Sequence, residues 1–150
     1  MTTQRSRLVS ERGAAMVETA LTLPLILLLS VSVFEFGRAF QHWQVLTNAA
    51  REGARIAVLP GMSDEAVETR VHDYIEAGQL PAADDIEIQI TRNEEVSIGP
   101  AVGDTANASR VLVNYPFEFM VLQPVMTLVA GETEVGAPLT MSVSATMRNE

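Results

Sequence analysis

Gly13–Phe34, GAAMVETALTLPLILLLSVSVF, decides how the rest of this 150-residue chain can fold. The stretch is 22 residues long, its single charge is Glu18, and from Thr19 to Phe34 it contains no ionisable group. Wound as a helix it rises about 33 Å, enough to cross a hydrocarbon core about 30 Å thick once. A carboxylate at mid-bilayer costs about 2.5–3.5 kcal/mol even on the lenient insertion scale. Glu18 lies near one end, where the cost is smaller, but its retention still asks for a reason. Pro24 has no N–H, so the carbonyl of Ala20 loses its helical partner and a bend is expected there.

On the N-terminal side, MTTQRSRLVSER holds Arg5, Arg7 and Arg12 against Glu11 alone. Basic residues ahead of an apolar run favour a cytoplasmic N-terminus with the remainder outside. The leader itself is expected to be disordered, as untethered termini usually are. On the C-terminal side the helical pattern continues. Phe36, Ala39, Phe40, Trp43, Leu46, Ala50, Ala54 and Ala57 recur at three- and four-residue intervals. Arg38, Gln41, Gln44, Asn48, Arg51, Glu52 and Arg55 take the opposite side, until Pro60-Gly61 ends the pattern. One helix over about 14–59 is therefore expected, half in lipid and half protruding.

A second helix begins after Ser63, an N-cap followed by Asp64 and Glu65 in the first turn. Its inner stripe is Val67, Val71, Tyr74, Ile75 and Gly78, and Gly78 and Pro81 stop it. Period-two alternation then predicts three strands, around 86–91, 110–119 and 139–147. Pro116 cannot donate to a ladder, which points to an edge or a bulge. The joining segments 93–108 and 120–137 are long for hairpins, and the apolar Val121–Ala130 is too short to span, so it is expected to cover the sheet. The predicted class is α+β: a long N-terminal helix, a short helix and a small antiparallel sheet, the protruding half of the long helix completing the core. The expected division is a leader at 1–13, the long helix at 14–59 and an extracytoplasmic domain at 60–150.

Charge and composition narrow the chemistry. Residues 1–59 carry net +2 and residues 60–150 net −11, within a total of −9. So acidic a distal half repels phosphates, which argues against a nucleic-acid partner. There is no Cys and all ten basic residues are Arg, which excludes thiolate metal sites, cysteine nucleophiles, P-loops and Schiff-base lysines. His42 and His72 match no metal-ligand spacing; His42 reads as a polar residue near the membrane interface beside Trp43, and His72 as exposed. Asp84-Asp85 and Glu94-Glu95 lack the loop spacing of a calcium site and read as solvated faces. No spacing supports a catalytic site, and no cofactor is called for.

A cleaved signal peptide, with Ser30-Val31-Ser32 as the small-x-small site, conflicts with a helical pattern that runs through that site and with a charge early in the run. An uncleaved signal anchor accounts for everything but Glu18 and the placement of Gly13. A Gly ending a basic leader, then an apolar helix with Glu at its fifth position, resembles the processing signal of type IV pilins. The blocks Arg12-Gly13-Ala14-Ala15, Val17-Glu18-Thr19-Ala20-Leu21, Leu23-Pro24-Leu25, Glu35-Phe36-Gly37-Arg38 and Ala49-Ala50-Arg51-Glu52-Gly53-Ala54-Arg55 resemble the TadE-like pseudopilins of bacterial tight-adherence (Flp) pili, over residues 11–59.

That resemblance implies a prepilin peptidase cutting after Gly13, with Ala14 as the new N-terminus. It further implies Glu18 pairing the terminal amine of a neighbouring subunit, in the bacterial inner membrane. Implied partners are other pilin or pseudopilin subunits and the assembly platform. Major Flp pilins usually place an aromatic after that Glu, where this chain has Thr19; with the extra domain, this points to a minor component. Arg51, Glu52 and Arg55 admit two readings, a contact surface for assembly partners or a solvated face with internal ion pairs. The alternative function is a signal-anchored periplasmic binding domain that never enters a pilus.

Overall fold

The computed structural model describes residues 3–99, 104–130 and 139–149. Helix α1 runs unbroken over Thr3–Ala57, with Pro24 inside it. The leader is thus helical from Thr3 on, against the expected disorder, Met1 and Thr2 lying outside the described residues. No Pro or Gly separates Thr3 from Gly13, and extending an existing helix costs far less than nucleating one.

Within the span the hydroxyls are satisfied locally. Thr19, Thr22, Ser30 and Ser32 each donate to the carbonyl four residues back, at 2.8, 2.9, 2.9 and 2.8 Å. That removes the cost of carrying unpaired donors through lipid.

At its far end α1 turns through Pro60 and Gly61, whose φ of +82° suits glycine. Arg92 reaches back to the carbonyls of Ala57 and Met62 at 2.8 and 3.0 Å and to Asp64 at 2.7 Å, placing a cation at the C-terminus of α1 where the helix dipole favours it. Helix α2, Asp64–Ala77, starts under a Ser63 cap whose hydroxyl accepts the Ala66 N–H at 3.2 Å. Val67, Val71 and Ile75 of the expected inner stripe are buried, but Tyr74 is 36% exposed. Gly78 is right-handed; the left-handed residue that ends the turn is Gln79, φ +54°.

After a 3₁₀ turn at Ala83–Asp85, strands β1 (Glu87–Ser97), β2 (Thr105–Phe117) and β3 (Leu139–Arg148) form an antiparallel sheet in the order β1-β2-β3. β1 and β2 extend into what composition marks as a joining segment. A bulge between Thr91 and Glu94, with Asn93 at φ +56°, lets β1 resume pairing against Ala108. The rest of the joining segments, residues 100–103 and 131–138, lies outside the described residues. Pro116 sits on the central strand, at a stretch paired with β3 alone, so it lies at a local edge. β1 has ended by then, its last partner being Asn114, so the missing N–H breaks no β1 ladder bond.

The second half of α1 and helix α2 pack on one face of the sheet. Leu46, Ala49, Ala50, Ala54, Val67, Val71, Ile75, Val111, Val113, Tyr115 and Phe117 are all at most 1% exposed. The alanines and Gly53 set the approach: a Cβ on Gly53 would stand 2.5 Å from Val71 Cγ2. Helix α3, Leu122–Ala130, does not cover the sheet as expected; it lies beside α1 near Glu35, with Leu128 87% exposed.

Candidate functional site

Two regions of α1 bear on function: the span itself, and the level where the helix leaves it. In the span, Ala14, Glu18 and Pro24 all project from one continuous helix and are exposed along with the apolar residues around them. Ala14 and Glu18 are four positions apart, one helical turn, so both face the same way. The ion pairs among the described side chains do not include Glu18. Beside Pro24 a shallow apolar groove is lined by Ala15, Met16, Thr19, Ala20 and Leu23.

At the exit stands a residue that the sequence places in the block Glu35-Phe36-Gly37-Arg38 but gives no role of its own. Glu35, directly after the charge-free run, is fully buried. Its Oε2 accepts from Arg38 at 3.0 Å and its Oε1 from the backbone N–H of Val121 at 2.7 Å. Arg38 also donates to the Glu118 carbonyl and lies over the Phe117 ring, 4.7 Å from its centroid. A charged residue three places before an Arg at the end of an apolar run was the available signal, since that spacing puts both on one helix face.

The inward face of α1 here is therefore rotated from the expected one. Phe36, Phe40 and Trp43 are 62%, 63% and 44% exposed, while Glu35, Ala39, His42 and Leu46 turn to the sheet. His42 is not an interfacial surface residue. It is buried edge-on between Tyr115 and Phe117, at 5.6 and 5.3 Å between centroids. Its Nδ1 has no partner among the described residues. Burial, and then the Arg38 charge, hold the imidazole below its ordinary pKa. Tyr115 donates its hydroxyl to the Pro81 carbonyl, and burial raises its phenol pKa, with Arg38 acting the other way. A cleft of about 640 Å³ opens beside these groups, lined also by Asp85, Met120 and Gln123.

The remaining sites are quickly placed. Glu52 pairs with Arg70 of α2 at 3.0 Å, while Arg51 and Arg55 are exposed on α1. This ties Glu52 to the fold's own packing and leaves the two arginines as outward charges. His72 is half-buried on α2. Glu94 of the acidic pair on β1 stands 3.0 Å from Arg110, whose charge opposes any cation there.

These features define a class: an α+β protein carried on one apolar helix, consistent with a single-pass membrane anchor, whose far half is built into its own core. The chain is TadE-like over residues 13–55, the span that the TadE-like protein family model matches. That match supports a component associated with the tight-adherence pilus. No curated protein and no solved structure matches the chain. The matched segment starts at Gly13 and ends within α1, so the sheet and α3 lie beyond it.

Proposed function

We propose that this chain is a minor pilin-like subunit of the tight-adherence pilus, cut after Gly13 by a membrane prepilin peptidase and assembled through α1. The observation that carries this reading is a TadE-like match beginning at Gly13, where the helix enters an apolar run, Gly13–Phe34, whose one acid, Glu18, is a turn away from Ala14. Cleavage removes the arginines that hold the leader at the cytoplasmic face. It leaves an ammonium at Ala14, and Glu18 of one subunit neutralises that ammonium on another. In a packed, water-poor filament the pair is weakly screened, so the carboxylate that is costly in lipid becomes a registration element. The domain from residue 60 on stays outside the inner membrane and, together with the outward-facing Arg51 and Arg55 of α1, supplies contacts to sister subunits or to the assembly platform.

N-terminal sequencing of the protein from cells holding the matching peptidase tests this. The expected mature chain starts at Ala14, and Gly13→Ala is expected to retain Met1–Gly13. A mature chain that keeps its leader in those cells returns the protein to the competing class, an anchored periplasmic module that never joins a pilus.

A further inference from the structure

We infer that α3 is a second, non-spanning membrane contact, lying in the lipid interface of the outer leaflet beside the point where α1 emerges. Its position comes from the clasp at Glu35. The charge-free run ends at Phe34, and Glu35 is one residue, about 1.5 Å of helix rise, further on. Val121 is hydrogen-bonded directly to Glu35, so α3 begins at the edge of the hydrocarbon. The headgroup layer extends only about 5–7 Å beyond that edge. A helix anchored there is in the interface or next to it.

Its composition matches that position. Leu122–Ala130, LQPVMTLVA, has no ionisable side chain, and at nine residues it is too short to cross. Leu128 is 87% exposed, Met120 66% and Val121 42%. This apolar surface is continuous with the span: Phe36 follows it up α1 and meets the edge of Phe119 at 6.2 Å between centroids, and Met120 comes next. α3 carries no cation and residues 60–150 are strongly acidic, so the attraction is apolar and zwitterionic lipid suffices.

The chain has no cysteine, so single labels can be placed without background. The whole chain, reconstituted at high lipid-to-protein ratio in phosphatidylcholine vesicles, is labelled with an environment-sensitive fluorophore at Leu128→Cys or, separately, Met120→Cys. Lipids carrying a nitroxide near the headgroup are the quencher. Both labels are expected to be quenched several-fold more than one at Thr69→Cys on α2, near the far end of α1. Adding phosphatidylglycerol is expected to change this little. Quenching at both sites no greater than at Thr69 overturns the inference. So does energy transfer between copies, without lipid quenching, that disappears on dilution with unlabelled chain; that result assigns α3 to a sister molecule.

The inference rests on α1 crossing the bilayer and not on cleavage or filament entry. A label at Leu28→Cys, read against lipids carrying the nitroxide part-way down the acyl chain, separates the two: if it escapes quenching the anchor itself fails, and if it is quenched while Leu128 is not quenched from the headgroup level, only the α3 contact falls.

Discussion

The carboxylate of Glu35 and the backbone N–H of Val121, 86 positions apart in the chain, meet at 2.7 Å in a buried setting. With Arg38 bound to the other oxygen at 3.0 Å, this contact joins the emerging helix to the segment that leaves the central strand. Breaking a buried ion pair from one side costs about 3–5 kcal/mol, because the remaining group is left uncompensated. Arg38 retains some solvent access, so Glu35→Ala is expected at the low end, about 3 kcal/mol. Arg38→Met added to Glu35→Ala is expected to cost less than the two single changes summed. Thermal melts of the detergent-solubilised full chain check this, and strict additivity would refute the coupling.

Two glycines on the same helix are expected to respond oppositely to alanine. At Gly53 the new methyl would meet Val71 Cγ2 at 2.5 Å and Val111 Cγ1 at 3.4 Å, both stiff β-branched side chains in the core. Overpacking of that kind costs about 1–3 kcal/mol, more than the ~1 kcal/mol that alanine gains in helix propensity. Gly37 has open space around its Cβ position, so Gly37→Ala keeps the propensity gain. The expected order of melting temperature is Gly37→Ala above wild type above Gly53→Ala; Gly53→Ala at or above wild type contradicts the packing described.

The order of these elements was legible in the sequence because each rests on a local pattern. Ser63 with Asp64 and Glu65 marks a helix start, Ile88 and Ile90 mark a wet-faced strand, and Pro60-Gly61 marks a stop. The family segment was legible too, since Gly13, Glu18, Pro24 and the Arg51–Arg55 block occur in linked order. What escaped depends on long-range partners. Glu35 and His42 are polar residues whose burial is decided by Val121, Tyr115 and Phe117, 73 to 86 residues away. Phe36 and Phe40 sit at helical spacing with the core but turn outward once Glu35 and Arg38 take the inner face. The bulge at Asn93 could not be foreseen from alternation, because it is a shift in pairing register against β2 that leaves the alternation of β1 intact and keeps it paired through Ser97.

His42 predicts a pH dependence with a definite sign. Its folded pKa lies below the ordinary value through burial and the Arg38 charge, while the unfolded chain titrates near 6.5. As pH falls through about 6.5 the unfolded state binds the proton first, so stability is full above that value and declines below it, toward the folded pKa. Wild type is expected to lose more stability than His42→Leu between pH 7.5 and 5.5, the carboxylates being common to both. Equal losses in paired melts would remove His42 as the cause.

Tyr115 closes the same region from the sheet side. Tyr115→Phe leaves the Pro81 carbonyl without its donor, and a hydrogen bond of this type is worth about 1 kcal/mol, more when the abandoned acceptor stays buried. The ring's packing against His42 persists in the variant, so the loss is expected to be that of the hydroxyl alone. Hydrogen exchange is expected to rise most over residues 79–86, which Pro81 tethers; exchange unchanged there sinks the assignment.

Glu18 separates insertion from assembly. Alone in lipid its carboxylate is a cost, so Glu18→Ala is expected to insert at least as well as wild type. Beside a neighbour's ammonium at about 4 Å, an attraction of about 4 kcal/mol is available at an effective dielectric constant of 20, and the same variant forfeits it. Glu18→Gln keeps the shape without the charge and is expected to assemble as poorly as Glu18→Ala. The amine exists only after cleavage, so in an uncleavable Gly13→Ala background adding Glu18→Ala is expected to cause no further loss. Counting surface pili on cells that carry each variant at matched membrane levels reads all four arms. Wild-type pilus numbers from Glu18→Gln would show that the charge does not register the subunits.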